Sequence, residues 1–350
     1  MLFKSIISLA LIAVSASAQA VKGKAFDHIF IIFLENTDYD LAYSDPNLQA
    51  FFNQSLLLTN YHGVTHPSEP NYLAAVAGDY YGLNDDAYHA IPNNYTTIID
   101  LLEPKGLTWK TYQEDMPATP CFDDYEYNGL YFRKHNPFIM HDNIRTNATR
   151  CAKIVPATQL NLDLNSTEPL PNYMFFTPNI INDGHNTTVK DASKWLSGFL
   201  PPLLNNTKFI NNTLVVLTFD ETDNYKTASN NVLTLLMGDV IKGDLKNTTD
   251  DTFYSHYSLL STVESNWDLG NLGRNDVNPT LSNVFNFVAA ATGYKNVNVT
   301  NPPLLNTTEP GFLAPVPSAS ATSAAGRSVA LSSVLGAAAA LVAGACAALI

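Results

Sequence analysis

The chain alternates short apolar runs with longer segments in which apolar residues recur at helical spacing. Four of the apolar runs are rich in β-branched and aromatic residues and are too short for core helices, so they predict buried strands. These runs are residues 28–36, 108–115, 172–179 and 214–222. Helical patterns fit residues 46–55, 70–78, 95–106, 191–204 and 256–270. The alternation predicts an α/β fold, with a mostly parallel central sheet and helices on both of its faces.

Both ends of the chain have the composition of processing signals. Residues 1–20 contain Lys4, then an apolar run and small residues, which predicts a secretory signal. Small residues precede a short polar spacer and an apolar tail in residues 326–350, an order typical of a glycolipid-anchor signal that is removed. The alternative is a retained membrane helix, but the tail lacks the basic residues on which such a helix usually stops.

The rest of the chain divides into a folded region and a linker. Residues 21–297 carry the strand and helix patterns and predict the folded domain. Residues 298–325 are rich in Pro, Ser, Ala and Thr, which predicts a stalk. We therefore expect a secreted protein that a glycolipid holds at the cell membrane or cell wall.

Asparagine acceptors and cysteines agree with secretion. The Asn-x-Ser/Thr sequences predict a glycoprotein, with acceptors at Asn53, Asn94, Asn147, Asn165, Asn186, Asn205, Asn211, Asn247, Asn298 and Asn306. Of the 3 cysteines, Cys346 lies in the tail that we expect to be removed. Cys121 and Cys151 are then the only available pair, and we predict a disulfide between them in an oxidising compartment.

Charge limits the classes of partner. The chain has 350 residues, 46% of them hydrophobic, which suffices for a full core. Its 19 basic and 32 acidic residues give a net charge of -13. Nucleic-acid binding is not expected, because it requires a basic surface. A small phosphorylated substrate would have to be held locally by a metal ion or by a few hydrogen-bond donors.

Polar side chains follow three of the four predicted strands. Glu35 and Asn36 end the first strand, Asn179 ends the third, and Asp220 and Glu221 end the fourth. Ligands of open parallel sheets bind where the carboxyl ends of the strands converge. Carboxylate and amide oxygens suit a divalent Mg, Ca or Mn ion better than Zn. Any one pair could simply cap the following helix, but three strand ends together favour a metal site.

Ser68 stands just before a predicted helix. Pro67 and Pro70 restrict the backbone around it, and we expect the helix to begin at or just after Pro70. A hydroxyl at a helix N-terminus faces unpaired amide hydrogens and a positive dipole, which stabilise a phosphate or an alkoxide. A nearby metal ion would lower the pKa of the hydroxyl and make it a nucleophile. Taken alone, an N-cap role explains this serine better.

The loop of residues 178–186 and the start of one helix supply candidate acids and bases. Asn179, Asp183 and His185 lie on this loop after the third predicted strand, and His256 opens the helix predicted over 256–270. Imidazole can donate a proton to a phosphoryl oxygen or a leaving alcohol. We predict functional roles for both histidines. The other histidines have no assigned role; His28, His89, His135 and His141 lie in a strand start or in tyrosine-rich loops.

Six segments, taken in their order along the chain, resemble the secreted acid phosphatases of fungi. The segments that carry the resemblance are FLENTDYD, HPSEPNYLAAVAG, WKTYQEDMP, FTPNIINDGHN, LTFDETD and HYSLLSTVESNWDLGNLG. Those enzymes belong to a phosphoesterase family that includes bacterial phospholipases C and is similar in fold to the alkaline-phosphatase-like superfamily. The resemblance covers about residues 25–295. It implies a phosphatase that hydrolyses phosphate monoesters through a phosphoserine.

The resemblance also implies roles for individual residues. The implied metal ligands are Glu35, Asn36, Ser68, Asp220 and Glu221, with Ser68 as the nucleophile. The residues implied in phosphate contact or proton donation are Asn71, His185 and His256, and the loop residues Asn179 and Asp183 are expected to face the substrate. Asp223 follows the acid pair closely, so the choice of metal ligand among these three acids stays open.

Two other functions remain compatible with the sequence. A phospholipase C or another phosphodiesterase could use the same hydroxyl and metal ion if the pocket admits a second ester group. A non-catalytic, glycosylated cell-surface protein would agree with the stalk and the anchor. That alternative gives no reason for acids at the ends of several core strands.

Overall fold

The computed structural model describes residues 21–225, 229–303 and 305–306, all of which belong to one compact unit of residues 1–314. The predicted secretory signal, the predicted anchor signal and most of the predicted stalk lie outside the described residues. Among the described residues, no helix is both long enough and apolar enough to cross a membrane.

The strands form one large sheet and two small ones. In chain order they are β1 His28–Leu34, β2 Leu56–Leu58, β3 Tyr61–His62, β4 Trp109–Gln113, β5 Glu126–Tyr127, β6 Tyr131–Phe132, β7 Ile154–Pro156, β8 Tyr173–Thr177, β9 Thr213–Phe219, β10 Thr234–Met237, β11 Thr248–Asp250 and β12 Tyr254–Ser255. The large sheet has the order β11, β2, β10, β9, β1, β8, β4, β7. Its pairs are parallel except those of β10, which runs antiparallel to β2 and β9. The mostly parallel sheet predicted from the sequence is confirmed.

Helices occupy most of the connections between strands. They are α1 Tyr39–Ser44, α2 Pro46–Gln49, α3 Ser68–Ala77, α4 Ile98–Leu102, α5 Asp142–Arg145, α6 Ala148–Cys151, α7 Gln159–Asn165, α8 Val189–Leu204, α9 Thr207–Ile210, α10 His256–Trp267 and α11 Asn286–Thr292. Short 3-10 turns lie at Phe52–Gln54, Glu103–Lys105, Arg133–His135 and Asn275–Val277. Helix α3 ends at Gly78, whose φ of 70° is the left-handed conformation that glycine adopts without strain.

Strand β1 shows why the sheet must be covered on both faces. Successive side chains of a strand alternate between the two faces, so Phe30 and Phe33 point in opposite directions. Phe30 packs on Phe209 of α9, with ring centroids 5.0 Å apart, and Phe33 packs on Tyr72 of α3 at 5.1 Å. Both phenylalanines are fully buried. The helices on the two faces of the sheet therefore keep water away from its central strands.

All four strands predicted from the apolar runs are present; each ends two or three residues earlier than predicted, and each begins within one residue of the predicted start. The predicted helices are present too, although that of residues 46–55 is a short α-helix followed by a 3-10 turn. Four further strands of the large sheet, β2, β7, β10 and β11, were not predicted. They have only 3 or 4 residues each. Runs this short cannot show the alternation of apolar and polar residues that predicts a strand, because two such alternations occur by chance in most sequences.

Candidate functional site

The site is built around the first turn of α3. The peptide bond between His66 and Pro67 is cis, and α3 begins at Ser68, two residues earlier than the sequence predicted. Pro67 occupies the N-cap position, so Ser68 is not the cap itself. The Ser68 hydroxyl instead donates to Glu35 Oε2 at 2.9 Å and lies 3.3 Å from Glu221 Oε1. Residues far apart in sequence thus meet at this hydroxyl.

Asp220 ties the ends of β1 and β9 together. Its Oδ1 accepts hydrogen bonds from the amides of Asn36 at 3.0 Å and of Glu221 at 2.7 Å. The second carboxyl oxygen, Oδ2, is buried and has no hydrogen-bond partner among the described residues, and the same holds for Asn36 Oδ1. Asn36 has a φ of 42°, a left-handed conformation that asparagine tolerates better than most residues. The two strand ends therefore present unpaired oxygens beside Ser68.

Burial dominates the electrostatics of these acids. It raises the pKa of Glu35 well above the usual carboxyl value, and the nearby Asp183 raises it further. Burial likewise raises the pKa of Asp220, with Glu35 adding to the effect, and that of Glu221, with Asp220 adding to it. Several acids this deep and this close together repel one another unless a cation lies between them. Their hard oxygen donors, two of them unpaired, fit a divalent metal ion.

Glu221 is held from its outer side by two aromatic rings. His66 contacts Glu221 Oε2 through Nδ1. The hydroxyl of Tyr225 donates to Glu221 Oε1 at 3.0 Å, and its ring stacks on that of His66 with centroids 3.9 Å apart. Tyr225 is 45% exposed, so this stacked pair forms part of the rim of the site. The sequence assigned no role to His66, and its contact with Glu221 supplies one.

The turn of residues Arg133–His135 brings functional groups that the sequence analysis missed. Lys134, although nearly buried, places Nζ 2.9 Å from His185 Nε2 and 2.8 Å from Asp86 Oδ2. Burial lowers the pKa of Lys134, but Glu35 and Asp86 more than offset this and raise it above the usual value. The ammonium group therefore stays charged at the edge of the acid cluster.

His135 lies between two acids of the site. Its Nε2 is 3.3 Å from Glu35 Oε1 and its Nδ1 is 3.2 Å from Asp183 Oδ2. Burial and the charge of Lys134 lower its pKa well below the usual histidine value. Donor atoms of Glu35, His135 and His185 lie within 4.8 Å of one another, a second arrangement able to hold a metal ion. The sequence analysis placed His135 among the histidines without a role, because nothing in its local sequence connects it to Glu35.

Of the residues predicted on the loop after β8, Asp183 and His185 reach the site. Asp183 is fully buried, and its Oδ1 accepts from the amide of His185 at 2.8 Å. His185 is half-buried, and its Nδ1 lies 2.8 Å from Asn186 Oδ1. Asn179 instead shapes the loop: its side chain donates to Asp115 at 2.6 Å and accepts from the amides of two following residues. Its geometry does not favour the predicted substrate contact.

Asn71 and His256 also have their polar atoms engaged within the protein. Asn71 accepts from the amide of Val64 at 2.8 Å and donates to the carbonyls of Thr65 and Pro67, so it braces the loop that precedes Ser68. His256 is fully buried between the Asp220 carbonyl, 2.6 Å from Nε2, and the Tyr61 hydroxyl, 3.1 Å from Nδ1. Burial lowers its pKa to about 4. Both residues hold parts of the site in place rather than facing a substrate.

Features outside the site agree with the sequence analysis where the structure describes them. Cys121 and Cys151 form the predicted disulfide, with a Cα–Cα separation of 5.2 Å. Nine of the predicted glycosylation acceptors are exposed, and Asn306 is half-buried. The acceptors are therefore accessible, and their glycosylation stays a prediction.

Curated proteins with similar sequences come from fungi and from a bacterium. A probable acid phosphatase of Kluyveromyces lactis is 49% identical over 298 residues, covering 84% of this chain and 70% of the relative. The acid phosphatase of Aspergillus fumigatus is 43% identical, covering 83% of this chain and 65% of the relative. A phosphatidylinositol-3-phosphatase of Mycobacterium tuberculosis is 29% identical, covering 74% of this chain and 83% of the relative. The chain thus spans about two thirds of the length of its fungal relatives.

Solved structures show the fold at low sequence identity. A putative sulfatase from Bacteroides thetaiotaomicron aligns with a TM-score of 0.51 at 12% identity, covering 77% of this chain and 75% of that protein. This likeness concerns the fold alone, and the predicted α/β class is confirmed. Residues 46–270 match the Phosphoesterase family, and this stretch contains Ser68, Asp220 and Glu221. With this match and the 49% identity to the Kluyveromyces lactis protein, the chain belongs to the Phosphoesterase family.

Proposed function

We propose that this protein is an acid phosphatase that hydrolyses small phosphate monoesters through a phosphoserine formed on Ser68. The observation that carries the proposal is the position of the Ser68 hydroxyl, which donates to Glu35 at 2.9 Å at the start of a helix among buried acids. Four fungal relatives named as acid phosphatases, 40 to 49% identical, support the same activity.

The serine begins the reaction as a nucleophile. Glu35 accepts the hydroxyl proton while Oγ forms a bond to phosphorus, and the bond from phosphorus to the leaving alcohol breaks on the opposite side. The amide groups of the first turn of α3 and the helix dipole stabilise the negative charge near Oγ. Asn71 keeps this turn in place through its hydrogen bonds to the preceding loop.

Charge on the phosphoryl oxygens has to be offset within an acidic protein. Lys134 supplies a fixed positive charge beside His185 and Glu35. A divalent metal ion, when bound, would lower the pKa of the serine hydroxyl and neutralise charge on the phosphoryl group. The residues that would hold it are Glu35, Asn36, Ser68, Asp220 and Glu221. Their oxygen donors favour Mg, Ca or Mn over Zn.

The leaving alcohol needs a proton, and the second half of the reaction needs a base. We assign both tasks to His185, because it is half-buried, whereas the alternative His256 is enclosed by Asp220 and Tyr61. Burial and the charge of Lys134 lower the pKa of His185, so acid conditions favour the protonated form that donates to the leaving alcohol. After the alcohol leaves, His185 takes a proton from water, and the oxygen of this water attacks the phosphoserine. The bond from Ser68 Oγ to phosphorus breaks, and Glu35 returns to Oγ the proton that it accepted at the start, which yields inorganic phosphate and the free hydroxyl of Ser68.

Substitution of the serine tests the proposal directly. In Ser68→Ala, kcat/KM for p-nitrophenyl phosphate should fall at least about 10⁴-fold, because the nucleophile is removed. Ser193→Ala is the matched control: Ser193 is also a fully buried helix serine, it bonds to Lys190 and Asn47 away from the site, and its loss should leave activity unchanged. Acid quenching during turnover followed by peptide mass analysis should show one phosphoryl group on Ser68. Undiminished hydrolysis by Ser68→Ala contradicts the proposal.

A substrate panel separates the monoesterase from the diesterase alternative. We expect the monoester to be hydrolysed faster than bis(p-nitrophenyl) phosphate and phosphatidylcholine. Faster turnover of either diester would identify a phosphodiesterase. Secretion, glycosylation and a glycolipid anchor at the membrane or wall belong to the same proposal and rest on the sequence alone.

A further inference from the structure

A large cavity lies beside the active-site loop but contains no residue of the proposed catalytic group. Its volume is about 680 Å³, within the range of small-molecule sites. The cavity lies between α7 and α8, next to the residues that follow β4 and β7. This is the edge of the sheet at which α/β proteins bind ligands.

The walls of this cavity have two chemical characters. Most of the lining is apolar, including Met116, Leu160, Phe176, Phe199 and Leu203. The polar part of the lining includes two acids, Glu114 and Asp115, beside Tyr127, Thr158 and Asn161, and no Lys, Arg or His side chain is among the described residues that line it. The aromatic or aliphatic part of a ligand would make apolar contacts here. Its cationic group would lie near carboxylates that no basic residue of the lining neutralises.

We propose that this cavity binds a small organic cation with an apolar body, such as an aromatic primary amine. The ring of the ligand packs against Phe199, which is half-buried and whose own ring contacts that of Phe176 with centroids 4.5 Å apart. Its ammonium group lies near Asp115, the exposed acid of the pair. A carboxylate of the same size would be repelled.

Glu114 links this cavity to the catalytic loop. It accepts a hydrogen bond from the amide of Asn179 at 2.9 Å and from the side chain of Asn182 at 2.9 Å. The same loop continues directly to Asp183 and His185 of the active site. A ligand in the cavity therefore lies behind the segment that carries two groups of the proposed catalytic machinery.

Trp195 makes binding measurable without any enzymatic assay. Its ring stacks on that of Phe199, which lines the cavity, with centroids 4.7 Å apart. Binding of 2-phenylethylamine is therefore expected to change tryptophan fluorescence, and Trp195→Phe should remove the change. Calorimetry then gives the affinity of the amine and of 3-phenylpropanoate, its counterpart of opposite charge. At physiological ionic strength the amine should bind at least about tenfold more tightly than the carboxylate.

Two glycines give a matched test of the location. Gly198 lines the cavity within α8, and a Cβ added there meets nothing within 4 Å. Gly198→Leu should therefore fold, fill part of the cavity and weaken amine binding at least about tenfold. Gly243, also free of contacts within 4 Å, is not part of the cavity. Gly243→Leu should leave the affinity unchanged.

A second pair of variants tests the charge. Asp115 has a φ of 56°, which asparagine also adopts, so Asp115→Asn should fold and reduce the preference for the amine over the carboxylate several-fold. The exposed Asp244 is the control, because the net charge changes equally in Asp244→Asn.

The proposal is wrong if the amine does not bind, or if Gly198→Leu binds it as tightly as the wild type. It is also wrong if Gly198→Leu changes only the sedimentation of the protein, since the cavity would then be a contact between copies. None of these measurements depends on phosphatase activity.

Discussion

Helix α10 joins two groups of buried acids whose surroundings differ. At its first residue, His256 contacts the carbonyl of Asp220 beside the Ser68 site. Near its end, Glu264 pairs with Asp276, roughly 12 Å farther along the helix. Asp276 accepts three backbone amide bonds, from residues 272, 273 and 274, so the surrounding loop already satisfies it. Burial and Asp276 raise the pKa of Glu264 to about 9, so Glu264 is neutral at pH 7.

The two groups show that a buried acid is not by itself evidence of a functional site. An oxygen of Glu264 lacks a hydrogen-bond partner, as does one of Asp220. Unpaired oxygens therefore do not separate the groups. The Ser68 group differs because its acids come from several strand ends and surround a hydroxyl, with the ammonium group of Lys134 nearby. Protonation of one acid is enough for the pair on α10, whereas the larger group needs a cation.

The largest effect is expected from neutralising the centre of the Ser68 group. Asp220→Asn keeps an oxygen for the amides of Asn36 and Glu221 but removes the charge. Activity measured as kcat/KM should fall at least about 10³-fold, because a metal ligand is lost. Without added metal, the variant should unfold at the same temperature as the wild type or higher, since a buried charge is gone. If the activity of Asp220→Asn stays within about tenfold of the wild type, the functional difference that we expect between the two groups of acids is contradicted.

A smaller effect is expected from removing the positive charge that distinguishes the Ser68 group. Lys134→Gln should lower kcat/KM about 10²-fold, because charge on the phosphoryl oxygens is no longer offset. Lys110, which pairs with Asp163 at 2.6 Å on another part of the surface, gives the control variant Lys110→Gln. The control should retain full activity. Equal losses in both variants would indicate a general effect of breaking ion pairs.

The smallest effect on activity is expected at the other end of α10. Glu264→Gln should leave kcat/KM unchanged but alter the pH dependence of stability. The folded-state pKa of Glu264, about 9, lies above its ordinary value of 4.5, so the folded protein binds a proton that the unfolded chain loses. The wild type is therefore expected to lose stability as the pH rises from 4.5 toward 9, by up to about 1.4 kcal/mol per pH unit.

Glutamine does not titrate, so the advantage of Glu264→Gln should grow with pH. Urea unfolding at several pH values between 5 and 8 measures the difference in unfolding free energy between variant and wild type. Glu168 is an exposed acid, and Glu168→Gln should show no such trend. A difference that stays constant across this range would contradict the raised pKa of Glu264.

The sequence predicted much of the fold because buried parallel strands have a plain signature. β1 and β9 are mainly apolar runs of 7 residues, rich in β-branched and aromatic side chains, which is the pattern of strands buried on both faces. The acids directly after them could be assigned to one site, because parallel strands end at the same edge of a sheet. The four short strands β2, β7, β10 and β11 escaped prediction because they are too short to show a period.

The candidate site was predicted only in part, for a different reason. Lys134 and His135 lie on a loop that follows no strand of the large sheet, so nothing in their local sequence ties them to Glu35. Asn71 and Asn179 have the residue type expected of substrate contacts, yet their side chains bond to backbone groups and, for Asn179, also to Asp115. Hydrogen-bond saturation depends on the exact path of the loops, which residue type does not encode.

By itself, the sequence determined the α/β class and the strand ends that carry acids, because each follows from local pattern and from the rules of parallel sheets, whereas Ser68 stays a prediction that rests on the family resemblance. The tertiary structure alone decided which polar side chains face the site and which brace it. His256 shows the distinction: it opens a helix as predicted, but packing encloses both of its ring nitrogens. Burial and the positions of neighbours, which are set by contacts between distant segments, fix the charge and direction of each group.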